Sequence, residues 1–184
     1  MLRHMPPVCA AVLVASLAAG CGSSGGKSDG APTATPQTSS ASPTPDRTAE
    51  AEAQAVTAYE SMWRTAVQVY ASGDLTNPDL PKYAIDKALA NIKVTALYYQ
   101  DHGMSVTGQP ALSPKVTSVS FAKQLHTANV TDCVDSTHYV QVYKATGKAV
   151  PRSGSFRHVV TALVVDNGSS WVVSDFTIQR DRTC

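Results

Sequence analysis

The chain has 184 residues, of which 43% are hydrophobic, with 15 Lys+Arg against 14 Asp+Glu and a formal net charge of +1. That balance argues against a nucleic-acid binder, which carries a basic excess or stripe, and against strong electrostatic attraction to anionic lipid. Large apolar residues are sparse between the first twenty residues and Thr48, which leaves about 135 residues for one domain, enough to bury a core without a structural metal.

Residues 1–20 open with Arg3 and continue into an apolar run from Val8 to Ala19. The run is too short to span a bilayer as a helix, which needs about 20 apolar residues. It ends in Leu17-Ala18-Ala19-Gly20-Cys21, with a cysteine where an ordinary secretory signal has only a small-residue cleavage site. This stretch resembles the lipobox of bacterial lipoproteins, with Ala18 standing where that family usually has Leu. The resemblance implies that the Cys21 thiol takes a diacylglycerol, that residues 1–20 are removed, and that Cys21 becomes the N-terminus. It therefore implies an extracytoplasmic protein anchored to the outer face of the cell membrane. Removal of residues 1–20 takes one base, Arg3, and no acid, leaving 14 of each sign.

Residues 21–47 read as a tether, first Gly/Ser-rich (Gly22-Ser23-Ser24-Gly25-Gly26) and then Ser/Thr/Pro-rich. Such composition buries too little apolar surface to offset the entropy of ordering. As a flexible coil it would reach on the order of 30 Å, holding residues 48–184 clear of the membrane.

From Thr48 to Ala71 the residues Val56, Tyr59, Trp63, Val67 and Tyr70 recur at three- and four-residue steps and predict a helix with one apolar face, closed by Ser72-Gly73. Asn77-Pro78-Asp79 marks a turn, and Leu80 to Ala84 one short helical turn. Ile85, Leu89, Ile92 and Ala96, followed by Leu97 and Tyr99, predict a second long helix that stops at Gly103.

From Met104 the period changes to two. Strands are predicted at Met104–Gly108, around Val116–Phe121, at Thr127–Asp135, His138–Lys144, Phe156–Val165 and Trp171–Ile178, with Asp166-Asn167-Gly168 as a hairpin turn. The expected arrangement is an antiparallel meander. Helices followed by strands give an α+β fold, with the N-terminal helices packed on a curved antiparallel sheet of about six strands.

This order, together with Tyr70-Ala71-Ser72-Gly73-Asp74, Gly108-Gln109-Pro110, Thr131-Asp132-Cys133-Val134-Asp135, Thr146-Gly147-Lys148 and Trp171-Val172-Val173-Ser174-Asp175, resembles secreted actinobacterial lipoproteins with the NTF2-like fold. The resemblance spans about Thr48 to Cys184 and implies a cone with a pocket between helix and sheet. It does not choose a function, since the superfamily holds isomerases, cyclases, dehydratases and pure binding modules. Many of its members pair through the sheet, so a homodimer is among the expected states.

Of four cysteines, Cys9 leaves with the signal and Cys21 carries lipid. Cys133 and Cys184 remain, an even pair in an oxidising compartment, and are expected to form one disulfide.

Some NTF2-like enzymes, such as ketosteroid isomerase, use a pocket Asp as base and a Tyr as oxyanion donor. Asp132, Asp135, Tyr59, Tyr98 and Tyr139 are of the required types. Asp132 is the candidate base, because it shares strand parity with Ala128, Val130 and Val134, and an acid on an apolar face has a raised pKa. The simpler and stronger reading puts Asp132 and Asp135 near a strand end beside the disulfide, solvated or hydrogen-bonded to a turn. Tyr59, Trp63 and His158 are candidate pocket-lining residues, the first two being core residues in the simpler reading. His126 and His138 flank the Cys133 strand without zinc-site spacing. No phosphate loop, dinucleotide fingerprint or Gly-x-Ser-x-Gly elbow is present, so neither a cofactor nor a metal is expected. The expected function is a membrane-anchored, non-catalytic module that binds a small apolar ligand or another extracytoplasmic protein. The alternative is a small isomerase or cyclase with Asp132 as base.

Overall fold

The computed structural model describes residues 46–184. The expected signal, Cys21 and all but the end of the expected tether lie outside the described residues. The element order is α1 (Arg47–Ser72), α2 (Leu80–Tyr83), α3 (Asp86–Asp101), β1 (Met104–Thr107), β2 (Lys115–Phe121), β3 (His126–Asp135), β4 (Val140–Tyr143), β5 (Arg157–Asp166) and β6 (Trp171–Thr183). It is an α+β fold with helices first and antiparallel strands after.

Helix α1 starts at Arg47 because the Asp46 side chain accepts from the Thr48 backbone N–H, and it ends where Gly73, at φ +80°, takes the left-handed cap and donates to the Val69 carbonyl. Its apolar positions are buried as the periodicity predicts: Tyr59, Met62, Ala66 and Val69 are all at most 2% exposed. It packs against β1 as well as β2, β3, β5 and β6. Helix α3 is less deeply set. Ala88, Ile92, Ala96 and Tyr99 are buried, whereas Leu97, expected on the apolar face, is exposed.

The strands correct the expected meander. They form two sheets, a four-stranded one ordered β2-β3-β5-β6 and a two-stranded one pairing β1 with β4. Strand β4 therefore does not lie between β3 and β5, which pair directly. The registers explain the split. Met104 lies opposite Tyr143, Ala111 opposite Asp135, and Phe121 opposite His126. These pairs fall on one line to within a residue, so β1 through β2 and β3 through β4 are the two arms of one long hairpin bent over at a corner.

The corner is written in residues 108–114. Pro110 and Pro114 have no N–H for the ladder, and each restricts the residue before it. Between them only Ala111 pairs, exchanging hydrogen bonds of 2.9 and 3.0 Å with Asp135. The opposite arm turns at Ser136, whose carbonyl accepts from Tyr139 N–H at 3.1 Å, while the Asp135 carboxylate caps the turn by accepting from Thr137 N–H at 2.8 Å. Gly108 is required here: its φ is +74°, and a Cβ would stand 1.8 Å from the His138 carbonyl oxygen.

Strand β6 runs five residues past the expected end, to Thr183, pairing with β5 as far as His158. Just beyond it, Cys184 is bonded to Cys133 of β3, with Cα atoms 5.9 Å apart and a sequence separation of 51. In the chain-entropy account closure of such a loop is worth about 4 kcal/mol. The hairpin between β5 and β6 turns at Asn167, whose side chain accepts from Ser169 and Ser170 N–H groups.

Gly108→Ala should lower the free energy of unfolding by at least about 2 kcal/mol in urea titration, because strain and collision act together. Gly168→Ala, at φ +89° with nothing within 4 Å of the new Cβ, should cost only the conformational strain, about 1 kcal/mol. Equal losses would mean that the two arms do not meet closely at the corner.

Candidate functional site

The inner side of the bend faces α1 and α3, and between them lies an open cavity of about 560 Å³. That volume is in the range of small-molecule sites. Each wall follows from the local period. Trp63 and Tyr70 are seven residues apart on one face of α1; Asn91, Thr95 and Tyr99 are four apart on α3. His158 and Val160 share one parity of β5, and Phe176, Ile178 and Arg180 one parity of β6. β3 contributes Val134, and Ser136 follows from the turn after it; beyond the corner the parity changes, and Tyr139 and Gln141 face inward. Arg152, Ser155 and Phe156 close one side from the loop between β4 and β5.

The floor is aromatic. The Trp63 and Phe176 ring centroids are 6.0 Å apart, and Tyr70 meets Tyr99 edge-on at 5.5 Å. Gln141 Nε2 donates to the Tyr99 hydroxyl at 2.9 Å. Burial holds the Tyr70, Tyr99 and Tyr139 phenols above their ordinary pKa, so all three stay protonated and can donate. The wall has two guanidiniums, Arg152 and Arg180, and no carboxylate.

His158 lies in this wall, its Nε2 donating to the Ser155 carbonyl at 3.0 Å and its Nδ1 without a partner. Trp63 is in the floor. Tyr59 is not in the wall: it is fully buried one helical turn before Trp63, with its hydroxyl beside the Trp63 indole and the Asp132 carboxylate. None of the three (Tyr59 OH, Trp63 Nε1 and Asp132 Oδ2) closes a hydrogen bond of ordinary geometry.

Asp132 is 2% exposed and faces inward as its parity requires, but it is outside the cavity lining. Its Oδ1 accepts from Ser113 N–H at 2.7 Å, which ties the corner segment to β3. Burial raises its pKa, against the lowering effect of the Ser113 N–H, the Tyr59 hydroxyl and the Cys133 N–H. Asp135 is half-buried at its turn, and the Thr137 hydroxyl and N–H hold its pKa below the ordinary value. Tyr98 is exposed and stacks on His102 at 4.1 Å.

His126 binds elsewhere. Its Nδ1 is 3.2 Å from Asp166 Oδ2 and its Nε2 is 3.2 Å from the Arg47 guanidinium, which implies the Nδ1–H tautomer. His138 is exposed at the corner. Among the described residues no three His, Cys, Asp or Glu side chains converge as metal ligands.

Sequence reasoning missed Arg152, Arg180, Asn91 and Thr95. The α3 pair had a signal, since Asn91 and Thr95 continue by four-residue steps to Tyr99. Arg180 shares the parity of Phe176 and Ile178 but lies beyond the expected strand end. Arg152 sits in a loop, where no period places a side chain.

No protein-family model and no curated protein sequence matches the chain. Among solved structures, the intermembrane space region of the chloroplast protein ARC6 is similar at 14% identity and a TM-score of 0.45, over 72% of this chain and 97% of that one. A likeness of that size assigns neither a family nor a function. Among the described residues no helix is long and apolar enough to cross a membrane.

Asp132→Asn and Asp132→Ala should separate the two effects at this position. Asn retains an acceptor for Ser113 N–H and removes the buried charge, so at neutral pH it should be at least as stable as the native chain. Ala leaves the N–H unpaired and should cost about 1–3 kcal/mol. The folded pKa of Asp132 is raised, so its favourable contribution is complete below the ordinary carboxylate value and is lost as pH rises through the folded value. In urea titrations the native chain should therefore lose stability relative to Asp132→Asn as pH rises from about 4 to 7. A difference independent of pH would mean that the site does not disfavour the carboxylate.

Proposed function

We propose that the protein is a lipoprotein held at the outer face of the cell membrane through Cys21, and that residues 48–184 form an NTF2-like cone that binds a small ligand. The observation that carries the binding role is the cavity of about 560 Å³ on the inner side of the bent hairpin, with an aromatic floor and a few polar groups directed into it. The lipobox-like Leu17-to-Cys21 stretch supports the anchor, and the Cys133–Cys184 disulfide is consistent with export to an oxidising compartment. Helices followed by antiparallel strands, with a pocket between the layers, support the NTF2-like assignment. Binding is favoured over the isomerase or cyclase reading because Asp132, the base on which that reading relies, is not in the wall. Asp132 serves the corner instead.

Native mass spectrometry of the exported chain should show an added small-molecule mass that leaves on denaturation and is lost in Ile178→Trp, which places an indole in the cavity wall. Cys21→Ser should abolish incorporation of labelled fatty acid. A chain without adduct, or with the same adduct in Ile178→Trp, would contradict the binding role, and unchanged lipid labelling in Cys21→Ser would contradict the anchor.

A further inference from the structure

We infer that the ligand is a small amphipathic anion, with its acidic head at Arg152 and Arg180 and its apolar body against Trp63, Phe156, Phe176 and Ile178. The inference rests on the cavity being the ligand site and adds the chemistry of what occupies it.

The charge of the wall is one-sided on a chain that is otherwise balanced. Both guanidiniums line the cavity, no Asp or Glu does, and among the described residues neither arginine has a carboxylate within ion-pair distance. Arg152 is nonetheless fixed. Its Nη1 donates to the Ser136 carbonyl at 3.2 Å and the Tyr139 carbonyl at 3.0 Å, and its guanidinium lies 4.4 Å over the Phe156 ring. These contacts position the fork while leaving its other N–H groups without a protein acceptor of opposite charge. Arg180 enters the wall from β6, on the parity of Phe176 and Ile178.

The uncharged groups favour the same ligand. The Tyr99 hydroxyl accepts from Gln141 and keeps its own proton to donate. A ligand acid would therefore meet guanidinium and hydroxyl donors, in charge-assisted hydrogen bonds about twice as strong as neutral ones. A cationic head would meet only like charge. Trp63, Phe156, Phe176 and Ile178 offer apolar surface, so the part of the ligand that lies against them is apolar.

The probes are a matched pair of fluorescent amphiphiles with nearly the same aromatic body: anionic 8-anilino-1-naphthalenesulfonate and neutral N-phenyl-1-naphthylamine. They are titrated into the full chain carrying Cys21→Ser, so that no lipid or detergent competes. The sulfonate should bind at least about tenfold tighter than the neutral probe, and that preference should shrink at high salt. Arg152→Gln/Arg180→Gln should abolish the preference, so that the two probes bind with nearly the same affinity, and a native far-ultraviolet circular dichroism spectrum should show that the variant is folded. Ile178→Trp should weaken both. Equal binding of the two probes, or a preference that survives the double substitution, would overturn the inference while leaving the cavity a binding site. Failure of both probes to bind, or binding of both untouched by Ile178→Trp, would overturn the binding role itself.

Discussion

The structure depends on one bend. A hairpin of two long arms, Met104–Phe121 and His126–Tyr143, is folded over at residues 108–114. The bend is held by few groups: Gly108 against the His138 carbonyl, the paired Ala111 and Asp135, and the Asp132 carboxylate on the Ser113 N–H. Without it β4 would continue the line of β3 beside β5, and the inner surface would be a sheet face covered by helices. With it, the β1–β4 pair turns toward α1 and α3, and the cavity opens between them. Tyr139 and Gln141 reach the cavity because the corner changes which parity faces inward.

The same bend explains a costly feature. Burial of a carboxylate is unfavourable unless it is well bonded. Asp132 is buried with one oxygen satisfied and the other left beside the Tyr59 hydroxyl without a good bond. What it supplies is an acceptor for a backbone N–H that the prolines on either side have removed from the ladder. The disulfide acts at the same end of the large sheet, on Cys133, two residues before the Asp135 turn. It ties Cys184 to β3 and so fixes the last part of β6, the strand that carries Phe176, Ile178 and Arg180 into the wall.

Much of the fold was legible in the sequence. The two long helices were readable because Val56 to Tyr70 and Ile85 to Tyr99 repeat at helical spacing, and the strands because the period changes at Met104. The pairing of Cys133 with Cys184 followed from their being the two cysteines left once Cys9 is assigned to an expected signal and Cys21 to an expected lipobox. The division into two sheets was not legible, because four-residue strands carry no information about their partner and a proline shows where a ladder is interrupted but not where the chain goes next. Tyr59 and Trp63 lie four residues apart on one apolar face, and periodicity cannot say that one faces Asp132 and the other the cavity. Asp132 shows the same limit: its parity correctly gave burial, but burial does not distinguish a base in a pocket from an anchor behind one.

The cavity as ligand site is tested most directly by nuclear magnetic resonance of the Cys21→Ser chain, titrated with 8-anilino-1-naphthalenesulfonate. The account predicts that the Trp63 indole signal and the backbone amides of Gln141, His158 and Ile178 shift together and saturate at one equivalent, while Thr117, Asn129 and Thr161 on the outer face of the large sheet do not move. Shifts confined to that outer face, or none at saturating probe, would contradict it.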